Sequence, residues 1–586
     1  MSFDIAIADQ MRIALSYVKF KTKQQRLRSN DKVIADTVYG KVKGVKWRSI
    51  YGNNYYSFEG IPFAKPPVGE LRFRAPVEPD HWTEVKRCTR ERSKPCQVNL
   101  VLNQVQGSED CLYLNVYSRE LHPQKPLPVL VWIYGGGFQM GEASRDLYSP
   151  DYFMMEHVML VTIAYRLGPL GFLTLDDEQL DVPGNAGIKD QVLALRWVKR
   201  NCHFFGGDPD NITVLGESAG GASTHYLMLT EQTRNLFHKA VLMSGSAMSP
   251  WSITPKHNWA HRLAQATGYS GELTDREVLN HLRHTKASSM CRMAEEIVTM
   301  DERHQRKVMF CFAPTVEPYE SSHCVIPKPP IEMMRHCWGN EIPMVVGGNS
   351  FEGLLVFPEV RKWPELLHEL GDCAYLSPED AGLDADQRRA FGRLLKEAYF
   401  GDKEISQKTL LEYSDLCSYK YFWHGIHRTL LSRSVNAPKA PTYLYRFDFD
   451  SEHFNMVRII TCGRKVRGTC HGDDLSYLFY HGAAKKLKRR TAEFKTIRRL
   501  VSMLVHFAAS GDPNITLVMQ EEHYTPLGDP TDAQPKAQAQ PWLPISQQDA
   551  VFKCLNISHD VQVIDLPEAD KLRLWDSMYS DKRLLY

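Results

Sequence analysis

The distribution of apolar positions along the chain predicts strands and helices that alternate through the middle of the sequence. Several stretches are dominated by apolar, β-branched or aromatic residues, as expected of strands buried within a sheet. They lie at 128–133, 158–162, 239–243, 342–348 and 443–449. Residues 190–201 have instead the amphipathic pattern of a helix. This alternation predicts an α/β protein with a large, mostly parallel, twisted central sheet flanked by helices.

The N-terminal part of the chain has a different pattern. Residues 33–37 and 40–45 are short alternating stretches separated by a turn, which predicts a small N-terminal antiparallel sheet. Residues 58–73 are apolar and rich in proline, and we expect a stiff loop there. No internal repeat or interdomain linker follows, so residues 29–586 are expected to form a single domain.

The first 28 residues form a separate element. Apolar residues recur there at three- and four-residue steps, and a basic run follows them. The apolar positions are Phe3, Ile7, Met11, Leu15 and Val18, and the basic ones are Lys19, Lys21, Lys23, Arg26 and Arg28. An amphipathic helix of this composition suits a membrane or lipid-droplet surface. The alternatives are that it packs on the rest of the chain or frays as a free terminus.

Composition restricts the partners and the compartment. The 586-residue chain is 43% hydrophobic and 24% charged, with a net charge of +2, so nothing indicates a nucleic-acid partner. No stretch approaches the ~20 apolar residues of a membrane span. Asp4, Asp9 and Arg12 interrupt the apolar core that a signal peptide would need. We therefore expect an intracellular, cytoplasmic protein that is not secreted and keeps its thiols reduced.

Metal-binding patterns are absent from the sequence. The thirteen cysteines are scattered, and neither CxxC nor HExxH occurs. Two short histidine pairs exist, His281/His284 and His424/His427. Each fits a role in capping or packing a helix better than a metal site. We expect no metal.

A Gly-x-Ser-x-Gly sequence provides the first candidate chemistry. Gly216–Gly220 follows the strand-like run 212–215 and precedes the helix-like segment 222–229. In a strand–turn–helix context this motif forms a nucleophile elbow, which lifts the serine hydroxyl above the sheet. The turn is strained, so its neighbours must be small. Ser218 is therefore a candidate nucleophile, although so loose a pattern also arises by chance in Gly-rich turns.

Three consecutive glycines, Gly135, Gly136 and Gly137, follow the apolar run 128–133. Glycines after a buried strand let backbone N–H groups face a ligand without obstruction by side chains. Such donors can stabilise a developing oxyanion. The alternative is a plain flexible turn, but the position upstream of Gly-x-Ser-x-Gly favours an oxyanion hole.

A serine nucleophile also needs a base and a carboxylate that orients it. Glu352 comes shortly after the apolar run 342–348, where open α/β sheets keep their functional residues. His471 lies later in the chain, in a loop bracketed by Gly468 and Gly472. The order serine, acid, histidine fits this kind of site. The chain has 22 histidines, so spacing alone leaves His471 open to an ordinary role in a solvated loop.

Many segments in the same order resemble the type-B carboxylesterase/cholinesterase family, and most closely the insect (dipteran) α-esterases. The matching segments lie at 58–73, 108–115, 134–138, 184–187, 190–197, 205–209, 211–220, 352–353, 471–475 and 507–514. The resemblance extends from about residue 30 to the end, and implies an α/β-hydrolase fold. It assigns Ser218 as nucleophile, His471 as general base and acid, and Glu352 as the orienting carboxylate. Gly136, Gly137 and Ala219 would form the oxyanion hole, with no cofactor.

The resemblance also implies a substrate pocket and an activity. The pocket residues would be Trp251, Met309, Phe310 and Phe422. The activity would be hydrolysis of fatty-acid, aliphatic or aromatic carboxylic esters and of xenobiotics through an acyl-enzyme intermediate, with trapping by organophosphates at the same serine. The family often has histidine where Tyr134 stands, a departure that concerns the surroundings of the oxyanion hole and not its donors.

Other members of the family define the alternatives. Cholinesterases carry a cation-binding tryptophan in the stretch that here runs from Cys96 to Cys111, which has none, so binding of quaternary ammonium is not expected. These two cysteines fall near the first disulfide of the family, and their oxidation state is left open. Juvenile hormone esterases usually carry glutamine at the position of Glu217, so this glutamate argues against that activity. A slow-turnover sequestration protein for toxic esters and a non-catalytic binding protein are the remaining alternatives.

Overall fold

The computed structural model describes residues 7–99, 104–299, 302, 309–368, 373–482, 484, 486–514 and 541–586. In this part of the chain, 13 strands form one sheet and two more form a hairpin. The strands are β1 (Arg28–Ala35), β2 (Val42–Arg48), β3 (Asn54–Pro62), β4 (Lys86–Arg87), β5 (Gln97–Asn99), β6 (Gln104–Gln106), β7 (Tyr113–Ser118), β8 (Leu127–Ile133), β9 (Met159–Ile163), β10 (Gly207–Glu217), β11 (Lys239–Met243), β12 (Met344–Asn349), β13 (Thr442–Phe447), β14 (Lys553–Ile557) and β15 (Val561–Asp565).

The large sheet has a parallel centre between antiparallel wings. Its order is β1-β2-β3-β7-β9-β8-β10-β11-β12-β13-β14-β15, and β4 pairs with β2. The pairings from β9 through β8 to β14 are parallel, while β1-β2-β3-β7-β9 and β14-β15 are antiparallel. The predicted α/β class with a large, mostly parallel sheet is confirmed. The antiparallel N-terminal strands form one wing of that sheet.

Helices cover both faces of the parallel centre, as the apolar strands require. The α-helices are Ile7–Leu27, Arg145–Tyr148, Gly168–Phe172, Ala186–Asn201, Ala219–Leu229, Trp259–Ala266, Asp275–His284, Ala287–Met293, Pro330–Met333, Phe357–Lys362, Glu365–His368, Ala385–Phe400, Leu410–Ser418, His424–Asn436, Met456–Thr461, Leu475–Leu478, Ala492–Ser510, Ala569–Asp576 and Lys582–Leu585. We label Ala219–Leu229 and Ala287–Met293 helices α1 and α2. Among the helices described, none combines the length and apolar character needed to cross a membrane.

Burial explains why the centre of the sheet consists of apolar runs. Each residue of β9 and of β11 is buried, and so is each of β8 except Pro128. Residues 58–73 differ from the stiff loop that the prolines predicted, because β3 continues to Pro62 and pairs with β7. The strand is irregular between Phe58 and Ile61, where the register with β7 shifts.

The N-terminal helix, Ile7–Leu27, is docked along its C-terminal half. Phe20 is buried and packs on Tyr480 with ring centroids 5.4 Å apart. Tyr17 and Lys21 both bind the carboxylate of Asp146, at 2.7 and 2.5 Å. Packing on the rest of the chain, one of the alternatives for this segment, therefore holds from residue 17 onward.

Two apolar residues of this helix remain exposed: Leu15 is 59% and Val18 is 61% exposed. Phe3 and the first six residues lie outside the described part of the chain. Contact of residues 1–28 with a membrane or lipid-droplet surface stays a prediction.

Candidate active site

Ser218 lies at a sharp turn between the central strand β10 and helix α1. Its φ of +59° and ψ of −122° are strained values for a residue with a side chain. The turn is held by the Ser218 N–H, which donates to Met243 O of β11 at 2.8 Å, and by the Ser218 carbonyl, which accepts from Ala222 N–H at 2.9 Å. A strained strand–turn–helix connection, the geometry that the motif predicts, therefore lies at the carboxyl end of β10.

The glycines around Ser218 have no room for a side chain. A Cβ on Gly216 would lie 2.3 Å from Gly220 O, and a Cβ on Gly220 would lie 2.0 Å from Ile133 O. These distances bring α1 and β8 close against the elbow. The small residues of Gly-x-Ser-x-Gly are thus a packing requirement, in addition to the strain of the turn.

The glycine turn after β8 lies beside the elbow. A Cβ on Gly135 would lie 2.9 Å from Ser218 Cβ. Gly136 and Gly137 have φ of +113° and +61°, which glycine adopts without strain. In the described part of the chain, neither of their N–H groups donates a hydrogen bond. The N–H of Ala219, first in helix α1, likewise has no partner within the helix.

Glu352 and His471 are in direct contact although 119 positions separate them. Glu352 Oε2 lies 2.7 Å from His471 Nδ1, and Glu352 Oε1 accepts the Asn349 N–H at 2.6 Å. Glu352 is completely buried and His471 is 7% exposed. Two hydrogen bonds in a buried position fix the carboxylate, which in turn fixes the imidazole ring.

The loop that carries His471 is fastened to the end of β12. The side-chain amide of Asn349 donates to Cys470 O at 2.7 Å, and Phe351 N–H donates to Thr469 O at 3.0 Å. Both bonds join the segment before Glu352 to the segment before His471. The structure thereby places His471, one of the many histidines that sequence spacing left open, beside Glu352.

His471 Nε2 points to the elbow. It lies 3.1 Å from Oε1 of Glu217, the residue directly before Ser218. Among the described residues, the Ser218 hydroxyl has no hydrogen-bond partner, and Ser218 is 8% exposed. The structure thus brings Glu352 and His471 together directly, and brings His471 to the residue next to Ser218.

Glu217 is the site residue that sequence reasoning missed. Burial raises the pKa of Glu217 to about 8, although the nearby His471 opposes this shift. For His471, burial lowers the pKa, but Glu217 and Glu352 outweigh burial and raise it to about 9. The motif shows an acidic residue before the serine, but only the tertiary structure shows that its carboxyl reaches the imidazole.

Three of the four predicted pocket residues lie close to this centre. The ring centroids of Phe422 and His471 are 4.3 Å apart, and those of Phe422 and Trp251 are 6.1 Å apart. Phe422 belongs to a π-helical turn, Tyr419–Trp423, a feature found often at functional sites. A Cβ on Gly137 would lie 2.5 Å from Phe310 Cζ. Apolar rings therefore lie at the imidazole and at the glycine turn.

Two further positions lie apart from these contacts. Met309 is half-buried against the core, and no described contact links it to the elbow or the imidazole. The ring of Tyr134 stacks on Tyr165 at 4.5 Å. Its hydroxyl donates to Tyr165 O, while the Tyr165 hydroxyl donates to Tyr134 O. Tyr134 therefore supports the glycine turn from the core.

The two histidine pairs have hydrogen-bonding partners in the fold. His281 contacts Thr267 Oγ1 at 2.9 Å, and His284 contacts Asn280 O at 2.7 Å. His424 and His427 share the carboxylate of Asp576, at 3.1 and 2.9 Å. Within the described residues, no group of three or more potential ligands is placed to hold a metal ion.

Comparison with known proteins places this geometry in a family. The chain matches the carboxylesterase family over residues 31–575. Esterase B1 of Culex pipiens is 40% identical over 562 residues, covering 95% of this chain and 100% of that protein. A crystal structure of juvenile hormone esterase from Manduca sexta with OTFP covalently attached has a TM-score of 0.80 and 26% identity, covering 94% of this chain and 100% of that chain.

The comparisons also correct the predicted compartment. Venom carboxylesterase-6 of Apis mellifera is 31% identical over 515 residues, covering 86% of this chain and 89% of that protein. Venom is a secretion, so the name of that relative indicates a secreted protein. None of these relatives supports a cytoplasmic location. The prediction of an intracellular, cytoplasmic protein that is not secreted is wrong, because it depended on polar residues near the N-terminus. The expectation of reduced thiols loses its basis as well.

The family match and the shared fold extend over nearly the whole chain, including the elbow, the glycine turn and the Glu352–His471 pair. Relatives across this span are named as esterases. The chain therefore belongs to the carboxylesterase family and is an ester hydrolase.

Proposed function

We propose that Ser218 is the nucleophile of this esterase, with His471 as general base and acid and Glu352 as its orienting carboxylate. The 2.7 Å contact between His471 Nδ1 and Glu352 carries the proposal, since it leaves Nε2 as the ring nitrogen directed at the elbow. A serine hydroxyl is a weak nucleophile until a base takes its proton. The carboxylate holds the imidazole in the tautomer that can do so, and stabilises the imidazolium that results.

The reaction then has two halves. Ser218 Oγ attacks the ester carbonyl while His471 takes the hydroxyl proton, and the imidazolium returns that proton to the departing alkoxide. An acyl-enzyme remains on Ser218. Water activated by His471 attacks the acyl carbon, and the proton passes back to Ser218 as the carboxylic acid leaves.

Both tetrahedral intermediates carry a negative oxygen. We assign its stabilisation to the N–H groups of Gly136, Gly137 and Ala219. The free donors of the glycine turn and the unpartnered N–H at the start of helix α1 support this assignment, since both lie next to Ser218. The helix N-terminus also carries a partial positive charge.

The substrate class follows from the surface around the centre. Trp251, Phe310 and Phe422 are apolar, so they favour aliphatic or aromatic acyl and alcohol groups over charged ones. Fatty-acid esters and ester xenobiotics have this character. An organophosphate would react at the same serine by losing its leaving group to Ser218, and the phosphoryl-enzyme would be trapped if water attacks it slowly.

Burst kinetics with an activated aryl ester of a short fatty acid, such as p-nitrophenyl butyrate, tests this function. We expect an initial burst that equals the concentration of active sites, followed by steady release of p-nitrophenol, because an activated ester acylates the serine faster than water removes the acyl group. A burst with negligible steady release would instead mean slow-turnover sequestration. No release of p-nitrophenol would mean a non-catalytic binding protein.

The Gly137→Asp substitution tests the oxyanion assignment. The new side chain would meet the Phe310 ring, require a strained φ, and bring negative charge to where the substrate oxygen becomes negative. We expect kcat/KM for p-nitrophenyl butyrate to fall by about 10²–10³ or more, the range seen when an oxyanion donor is lost.

Gly69→Asp is the matched control for this variant. Gly69 has nearly the same φ, +59°, but no atom lies within 4 Å of the position of its Cβ. The Gly69→Asp substitution therefore introduces the same backbone strain at a position where the new side chain meets no neighbouring atoms. A Gly137→Asp protein with the activity of Gly69→Asp would show that Gly137 is not at the oxyanion.

A further inference from the structure

Two buried cysteines far apart in the sequence lie in contact with each other. Cys96 Sγ and Cys291 Sγ are 3.5 Å apart although 195 positions separate the residues. Cys96 is 6% and Cys291 is 7% exposed, and both are free thiols. The Cys291 thiol also lies 3.6 Å from Cys96 O. This pairing differs from that of Cys96 with Cys111, to which the family resemblance pointed.

We propose that Cys96 and Cys291 form a disulfide site that a peroxide closes. The Cys96 thiolate attacks a peroxide oxygen, giving a sulfenic acid and releasing water or an alcohol. Cys291 sulfur then attacks the Cys96 sulfur, the S–O bond breaks, and a second water leaves with the thiol proton. Two thiols are oxidised by two electrons, and one peroxide is reduced.

The local geometry suits this bond. The sulfurs need to approach from 3.5 Å to the ~2.05 Å of a disulfide, a distance within the range of side-chain rotation. Cys96 directly precedes β5, and Cys291 is in helix α2, so a backbone element holds each side chain. The hydrogen bond from Cys291 lowers the pKa of Cys96, which favours the reactive thiolate there.

Cys111 is the competing partner. It is buried, and it shares with Cys96 the wall of a cavity of about 10 Å³ that Arg72 and Leu170 also line. That space is about the size of one water molecule, and it lies beside Cys96, the thiol that reacts with the peroxide. Burial raises the pKa of Cys111 well above its usual value, and the hydrogen bond to Cys96 raises that of Cys291 as well. The 3.5 Å contact with the Cys96 sulfur is therefore what favours Cys291 as the partner.

The bridge would join two segments that frame the glycine turn. Gln97, next to Cys96, donates to Gly141 O at 2.7 Å and accepts from Gly141 N–H at 2.8 Å. Beyond helix α2, Ala294 O accepts from Cys311 Sγ at 3.0 Å, and Cys311 follows Phe310. Oxidation would thus link the segment of Gln97, which hydrogen-bonds Gly141 just after the glycine turn, to the segment that carries Phe310.

Peptide mapping of the full-length protein tests the proposal. The protein is treated with hydrogen peroxide or with dithiothreitol, the remaining thiols are alkylated under denaturing conditions, and the digest is analysed without reduction. We expect a Cys96 peptide joined to the Cys291 peptide after peroxide, lighter by two hydrogens than the two free peptides, and absent after dithiothreitol. A Cys96–Cys111 link, or both Cys96 and Cys291 alkylated after peroxide, would overturn the proposal.

Serine variants and the melting temperature give a second readout. A bridge that closes a long loop restricts the unfolded chain, so peroxide should raise the Tm of the wild type by a few degrees. Cys111→Ser is the matched control, because it removes a buried thiol nearby and should keep both the cross-link and the Tm shift. Cys291→Ser should lose both. If Cys291→Ser does not fold, the wild-type peptide map alone decides.

Discussion

The Ser218→Ala variant is expected to lose ester turnover while keeping its fold. We expect kcat for p-nitrophenyl butyrate to fall by on the order of 10⁶, the loss that follows removal of the nucleophile from other serine hydrolases. No other group can accept the acyl chain, so the burst should vanish together with the steady state. Alanine is also small enough for the crowded elbow, and it keeps the Cβ and hence the same backbone strain as Ser218. Stopped-flow and steady-state assays measure both effects.

Ser223→Ala is the matched control. Ser223 lies in the same helix, is fully buried, and accepts a hydrogen bond from Gln191 at 3.0 Å. It tests whether loss of any buried hydroxyl in helix α1 impairs activity. Near-normal kcat in Ser223→Ala and loss in Ser218→Ala would support the assignment. Ordinary turnover by a folded Ser218→Ala protein would contradict it.

Glu352→Gln is expected to lower kcat by about 10⁴ with little change in fold, as for the equivalent change in other triads. The carboxylate accepts two N–H groups, from His471 and from Asn349. A glutamine side chain has only one acceptor oxygen. One of the two N–H groups must therefore face the amide NH₂, which is also a hydrogen-bond donor. If the amide NH₂ faces the imidazole, Nδ1 has to accept, the proton moves to Nε2, and His471 can no longer act as a base toward Ser218.

The pH dependence of the same variant provides a separate check. His471 accepts the serine proton only when neutral, and its pKa is raised to about 9. Activity of the wild type should therefore rise with pH as the imidazole loses its proton, with an apparent pKa above the usual 6.5 of histidine. Glu352→Gln removes one of the negative charges that hold the pKa of His471 up. The rising limb should then move to lower pH, as measured by kcat/KM profiles.

Glu568→Gln is the control for loss of a buried carboxylate. Glu568 is 4% exposed and accepts from Arg446 at 2.8 Å, with no described contact to Ser218, His471 or Glu352. We expect it to lower the Tm and leave kcat and the pH profile unchanged. If Glu352→Gln and Glu568→Gln have the same kinetics, the role of Glu352 is structural and not orienting.

The large elements of the fold were predictable because buried strands and helices have characteristic patterns of apolar residues in the sequence. The runs 128–133, 158–162 and 239–243 coincide with β8, β9 and β11, since strands covered on both faces are apolar throughout. The proline-rich stretch 58–73 was less predictable. Pro62 ends β3, where its missing N–H costs no pairing, so prolines nearby did not prevent a strand.

The candidate site was predictable only in part. The elbow and the glycine turn are local, and their glycines report backbone conformations that other residues adopt with strain. Chain order favoured Glu352 and His471, but only the family resemblance assigned them, since no local pattern distinguishes one loop histidine from another. Glu217 was visible in the motif, but its contact with the imidazole depends on the loop fastened by Asn349.

The sequence by itself determined the alternation of strands and helices, the position of the elbow and the family of the chain. These depend on residues close together or on the order of many segments. The tertiary structure decided which side chains meet: Glu352 with His471, Glu217 with the same imidazole, Cys96 with Cys291, and Phe20 with Tyr480. Such contacts depend on how the sheet and its loops close over long chain separations, and that geometry leaves no periodic pattern in the sequence around each residue.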